Sequence, residues 1–269
     1  MNLSASNIGW ASEHDEEMYK FLSDNNFIGL EIAPTRIFPQ APYEHVDEAR
    51  SFANKLKKTY ELSISSMQSI WYGISELIFG SEDNRRKLIA YTKSAINFSS
   101  AIGCTNLVFG CPKNRATPEG LSPDDYIPIA TTFFKEIGSY AFDKGVYISI
   151  EPNPPIYNTN FINTTVEAFA FCESLDSPGV KVNVDLGTMI YYNEDISILT
   201  SNLSLVNHVH ISEPHLVPIV RRELHKELIQ KMLNAGYRGF FSVEMGKQRD
   251  IQPIKDSILY VKELFSDSK

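Results

Sequence analysis

Eight short apolar runs alternate strictly with eight longer stretches that carry apolar residues at helical spacing, and this alternation limits the possible folds most. The runs lie at 2–10, 27–33, 62–68, 105–110, 146–150, 180–184, 205–209 and 239–243. Each has the length and the β-branched or aromatic content of a buried strand. The stretches between them lie at 13–25, 43–60, 82–102, 122–144, 164–175, 195–203 and 222–235, and the last follows at 252–265. They carry helix signals. Ser122-Pro123-Asp124-Asp125 supplies a cap, a first-turn proline and acids suited to the helix dipole. Thr164 to Glu167 has the capping-box spacing, and Gly103, Gly145 and Gly236 stand where helices should stop. Strand–helix alternation favours a parallel sheet with crossover helices. Eight units in 269 residues favour an α/β chain closed as a (β/α)8 TIM barrel. No Pro/Gly/Ser linker breaks the chain, so residues 1–269 are expected to form a single domain.

The last four runs end on, or just before, side chains that bind metals: Glu151, Asp185, His210 and Glu244. Parallel neighbours place their C-terminal ends on one rim, so these four should converge there. Two Glu, one Asp and one His form a donor set for one divalent ion, and Mn²⁺, Co²⁺, Mg²⁺ and Zn²⁺ all suit it. Such an ion polarises a carbonyl and stabilises an enediolate. Glu151 and Glu244 would then be the acid/base pair, one taking a proton beside the carbonyl and the other returning it. His208, two residues before His210, faces the same way along its strand and should either orient substrate or lie one layer deeper. Glu213 should either contact the bound molecule, directly or behind a ligand, or cap a helix. Cys111 reads as a small filler at the mouth.

A net charge of −8 argues against a nucleic-acid partner, since phosphate backbones are held mainly by Lys and Arg. Three cysteines without a C-x-x-C pair argue against a disulfide scaffold and for a reducing, cytoplasmic compartment. No signal peptide is evident at the N-terminus, and no run approaches the length of a membrane span.

The segments G-V-Y-I-S-I-E-P-N, V-N-V-D-L-G, H-V-H-I-S-E and F-F-S-V-E-M resemble the sugar phosphate isomerase/epimerase family, the xylose-isomerase-like TIM barrels. The resemblance spans essentially the whole chain, with its specific motifs in strands five to eight. It implies that Glu151, Asp185, His210 and Glu244 correspond to the family's metal ligands and the two Glu to its acid/base pair. It further implies substrate contacts from Asn153, two residues past the first Glu, and from Glu31, Gln68 and Arg115 in mouth loops. Two positions depart from the ketose epimerases: Thr188 stands where many carry His, and Leu216 where many carry Arg.

The expected activity is therefore metal-dependent isomerisation or epimerisation of a small sugar or sugar phosphate. The alternatives are a metal-dependent lyase of the inosose-dehydratase type, an abasic-site endonuclease, and a sugar-binding barrel without turnover. Six histidines and an acidic composition weigh against the endonuclease. Most basic residues near the mouth, Lys247 and Arg249 of G-K-Q-R among them, read as solvated surface. Members of the family are often dimers, so a homodimer is among the expectations.

Overall fold

The computed structural model describes residues 2–266, the Ser266 side chain apart. Eight parallel strands run in sequence order: β1 (Leu3–Ser6), β2 (Gly29–Ile32), β3 (Ser63–Met67), β4 (Asn106–Phe109), β5 (Tyr147–Ile150), β6 (Val180–Asp185), β7 (Val206–Ile211) and β8 (Phe240–Val243). β1 pairs with β8 through Leu3↔Phe241 and Ala5↔Val243, which closes the barrel. The helices are α1 (Asp15–Asp24), α2 (Pro34–Ile37), α3 (Val46–Tyr60), α4 (Glu82–Ala101) and α5 (Pro123–Asp143), then α6 (Thr165–Leu175), α7 (Leu186–Tyr192), α8 (Ser197–Ser201), α9 (Glu223–Asn234) and α10 (Gln252–Ser266). The expected (β/α)8 barrel is the fold.

The helices start and stop where local chemistry dictates. Capping boxes open α5, through Ser122 and Asp125, and α6, through Thr164 and Glu167. Gly103, Gly145 and Gly236 sit at φ of +72°, +70° and +95° just past α4, α5 and α9, where a side chain would be strained. The longer helices turn apolar stripes inward, as Phe133, Phe134, Ile137 and Ala141 of α5 do. The apolar core therefore fills the ring between sheet and helices. Trp71, Phe109, Phe133, Phe134 and Phe171 meet edge to face there, with centroids 4.7–5.8 Å apart.

The barrel interior is polar. Ser4, Ser66, Asn106, Ser149, Asn183 and Ser242 are all buried. Asn106 donates to Ser66 Oγ at 2.8 Å and accepts from Ser149 and Asn207 at 2.5 Å each. Of these groups Asn183 bonds a rim side chain, donating to Glu151 Oε1 at 2.8 Å.

Two departures from the sequence expectation bear on the rim. The first strand covers only Leu3–Ser6, and Asn7–Gly9 turns as a 3-10 segment. Asn7 leaves the strand because its Oδ1 accepts the Ala33 N–H at 2.9 Å, tying the rims of β1 and β2. After β6 the chain enters α7 at once, not the single helix expected at 195–203. Asp185 is the N-cap: its carboxylate accepts the Thr188 N–H at 2.8 Å, which overrides the loop-like look of L-G-T-M-I-Y-Y. Only Ser197–Ser201, as α8, lies within the expected range.

Candidate active site

The period-two rule of strands decides which side chains look into the barrel. In β7 these are His208 and His210, in β6 Asn183 and Asp185, in β2 Glu31. Glu151 and Glu244 lie one residue past their strands, yet their N–H groups still bond Phe109 O at 3.1 Å and Ile211 O at 3.0 Å. That continued ladder keeps both carboxylates on the inner face. They meet the same imidazole nitrogen: His210 Nδ1 is 3.0 Å from Glu151 Oε1 and 3.1 Å from Glu244 Oε2. Asp185 reaches the same cavity. One of its oxygens accepts the Thr188 N–H and hydroxyl at 2.8 and 2.6 Å, and the other accepts the Ser212 hydroxyl. Thr188 thus serves Asp185.

A second layer fixes the first. Glu31, fully buried, lies 2.9 Å from His210 Nε2 and 3.1 Å from His208 Nε2. The His208 contact lacks hydrogen-bond geometry, whereas the His210 contact has it. An Nε2–H given to Glu31 turns Nδ1 of His210 toward Glu151 and Glu244, where it carries a proton between the two carboxylates or, with an ion bound, would offer its lone pair to the ion. Asn183 donates 2.8 Å to Glu151 Oε1 and sits 3.2 Å from His210 Nδ1. Asn153 donates to Glu151 Oε2 at 2.9 Å, and Gln68 donates to Glu244 and Glu31 at 2.9 Å each. Gly110 makes room for this set, since a Cβ there would stand 2.8 Å from Glu151 Oε2.

Charge is unbalanced in this chamber. Among the described residues the ion-pair partner of Glu151 and Glu244 is His210. Burial pushes Glu244 up to about 7; Glu151 and Asp185 add to the rise and His210 opposes it. Burial, then the charge of Glu151, also raises Asp185. Burial would lower His210, but Glu244, Glu31 and Glu151 outweigh it and hold the imidazole well above its ordinary value. For Glu31 the two imidazoles outweigh burial and hold the carboxyl well below the usual carboxylate range. Two carboxylates and an imidazole nitrogen aimed at one point, with a third carboxylate, Asp185, on the same cavity, fit a divalent cation by the chemistry of the donors. The donor atoms of Glu151, His210 and Glu244 lie within 4.8 Å of one another.

The cluster forms part of the wall of a cavity of about 570 Å³ at the C-terminal end of the barrel. The family model for the xylose isomerase-like TIM barrel matches residues 19–264. The chain belongs to this family. Solved structures share its fold. One is 3-keto-D-glucoside 4-epimerase from E. coli, with TM-score 0.78, 18% identity, and 99% of each chain covered. Another is D-psicose 3-epimerase with D-tagatose from Clostridium cellulolyticum H10, at 0.76 and 16%, covering 100% of this chain and 98% of that one. A third is AP endonuclease, family 2, from Brucella melitensis, at 0.73 and 17%, covering 97% and 98%. No curated protein matches the chain in sequence.

For this xylose isomerase-like barrel the sequence-derived contact residues divide into two groups. Gln68 and Asn153 reach the cavity. Glu31, His208, Arg115 and Glu213 are buried and do not line it. Glu31 lies within β2, not in a mouth loop, and its charge is offset by the imidazoles. His208 is the deeper layer: two residues earlier on a strand means lower in the barrel. Arg115 ends a 3-10 turn that Cys111, at φ +40°, directs inward. Its Nη2 donates to Asn153 Oδ1 at 3.0 Å and Ile162 O at 3.2 Å. Glu213 follows β7 and turns outward into a two-pronged pair with Arg222, at 2.8 and 2.7 Å. Lys247 and Arg249 stand off the cavity wall. Asn183 and Ser212 were not singled out from sequence, although each lies two residues from a named ligand on the same strand face.

Proposed function

We propose that the chain is a divalent-metal-dependent sugar isomerase or epimerase in which Glu151 and Glu244 exchange a proton with the carbon beside the substrate carbonyl. The observation that carries the reading is the convergence of the Glu151 and Glu244 carboxylates on His210 Nδ1 at the wall of the cavity. Glu151, Asp185, His210 and Glu244 would hold the ion. When bound, the ion supplies the positive charge that lowers the cost of a negative charge on the substrate oxygen.

The remaining work falls to the chain. Asn183 and Asn153 each hold one oxygen of Glu151, which fixes the plane of that carboxylate. Gln68 fixes one oxygen of Glu244 and leaves the other toward His210. Two carboxylates positioned from separate strands, β5 and β8, can serve two faces of one carbon, as inversion requires. The cavity wall contains one basic side chain, Lys113, which is exposed, and this favours a neutral sugar over a phosphorylated one.

The test is deuterium wash-in. Candidate ketoses and aldoses are incubated with Mn²⁺-loaded protein in D₂O and followed by NMR and mass spectrometry. Exchange at a carbon next to the carbonyl without loss of water is the expected result, abolished in Glu151→Gln and Glu244→Gln. Loss of water would place the protein among the lyases. Absence of exchange with every sugar that binds would overturn the catalytic reading.

A further inference from the structure

We propose that the cavity has two halves, and that its outer half is a subsite for an apolar, planar group, so that the substrate is a sugar joined to an aromatic or similarly apolar substituent. The inner half rests on the sugar reading above; the outer half stands on its own chemistry.

The inner half is acidic and rich in amides: Glu151, Asp185, Glu244, Gln68 and Asn153. A single sugar ring would fill roughly a third of the cavity of about 570 Å³ at protein packing density. The other half of the wall is formed by Trp71, Tyr72, Ile74, Tyr157 and Leu216. Two of the polar side chains on this side of the wall are already engaged. The Trp71 indole N–H donates to Thr92 Oγ1 at 3.0 Å, and its ring is held edge-on against Phe109 and Phe133. Asn114, also in the wall, gives its Nδ2 to the carbonyls of Ile74 and Glu76 at 3.0 and 2.9 Å. Against the stretch formed by Trp71, Ile74 and Leu216 a second sugar ring would leave hydroxyls unmet, and each unmet hydroxyl costs affinity. An aromatic or alkyl face meets no such cost.

Tyr72 is the second observation. It is 72% exposed, more than any other large apolar side chain among the described residues. A free aromatic face at the edge of an otherwise locked apolar wall gains its partner when a planar group stacks on it. Ser69, Cys111 and Leu216 all line the cavity with left-handed φ of +54°, +40° and +53°. Non-glycine residues hold such angles where the surroundings over-determine them, often at ligand clamps.

The test is calorimetric titration of the full chain, with Mn²⁺ present, using phenyl β-D-glucopyranoside, D-glucose, D-fructose and phenol. Fluorescence provides a second readout, because Trp71 is one of only two tryptophans. The phenyl glycoside should bind at least tenfold tighter than either free sugar, and Tyr72→Ala should cut that ratio fivefold or more. Tyr72 is exposed, so the variant should fold. Equal affinity for the glycoside and the free sugars, or a ratio that survives Tyr72→Ala, would overturn the outer subsite and leave the sugar reading standing. Phenol binding as tightly as its glycoside, and lost in Tyr72→Ala, would keep the subsite and overturn the sugar reading. No binding of any of the four would overturn both.

Discussion

Replacing Glu31 by Gln tests whether the layer behind the acid cluster governs ion binding. One oxygen of Glu31 lies 2.9 Å from His210 Nε2 and 3.1 Å from His208 Nε2, and the other accepts from Gln68 at 2.9 Å. A glutamine has one acceptor and one NH₂ for those two positions. If its NH₂ faces Gln68, two amide donors confront each other. If it faces the imidazoles, it confronts the Nε2–H of His210. Either rotamer leaves one buried donor unmet, at about 1–3 kcal/mol. For a chain of this size that corresponds to a fall in Tm of roughly 2–10 °C. The larger consequence is for the ion. Without the carboxylate, His210 loses the partner that fixes its tautomer and raises its basicity, and loss of such a partner weakens metal affinity about 10–100-fold. Mn²⁺ titration by calorimetry measures the second effect and differential scanning fluorimetry the first. A Tm that falls while Mn²⁺ affinity stays at the wild-type value would refute the link from Glu31 through His210 to the ion.

Four further outcomes follow from the geometry. Gly110→Ala should displace Glu151, since the new Cβ would lie 2.8 Å from its Oε2, and cost about 100-fold or more in deuterium exchange, with a small change in Tm by calorimetry. Arg115→Met should lower kcat about tenfold with little change in KM in steady-state assays, because Arg115 positions Asn153 without lining the cavity, and Arg115→Lys should recover part of the loss. Mn²⁺ at a hundred times its Kd should stabilise the protein by about 2.7 kcal/mol, visible as a rise in Tm of several degrees that a chelator reverses. His225 is buried, and burial lowers its imidazole from 6.5 to about 4. Above 6.5 it is neutral in both states. As pH falls below 6.5 the unfolded chain takes up a proton that the folded chain refuses, so stability drops, by about 2 kcal/mol at pH 5, until the folded group titrates near 4. Urea unfolding of wild type and His225→Phe at pH 7 and pH 5 checks this, with a smaller acid loss expected in the variant.

The barrel was legible because strand-length runs and helical stripes alternate along the chain, and because its caps are local. The cluster of Glu151, Asp185, His210 and Glu244 was legible because the last four runs each end on, or just before, a charged or imidazole side chain, which a buried strand seldom carries without a partner. What lay behind these candidate ligands was harder to read. Glu31 and Arg115 were expected to contact substrate, but nothing in F-I-G-L-E-I-A or C-P-K-N-R states how deep the side chain will sit. Depth depends on which imidazole or amide arrives from a strand far along the chain. Asn183 could have been found by counting back two residues from Asp185, yet its pairing with Glu151 is a long-range fact. Helix α7 was missed because its cap is also a candidate ligand, and the sequence gives Asp185 no mark of double duty.

That double duty gives the site a built-in reporter. The Thr188 N–H bonds an oxygen of Asp185, a carboxylate that faces the cavity. Whatever draws electron density from that carboxylate must alter the resonance of one backbone amide in the first turn of α7. With a diamagnetic ion such as Mg²⁺, occupancy could then be followed in a ¹⁵N spectrum at a single cross-peak, without any substrate in hand.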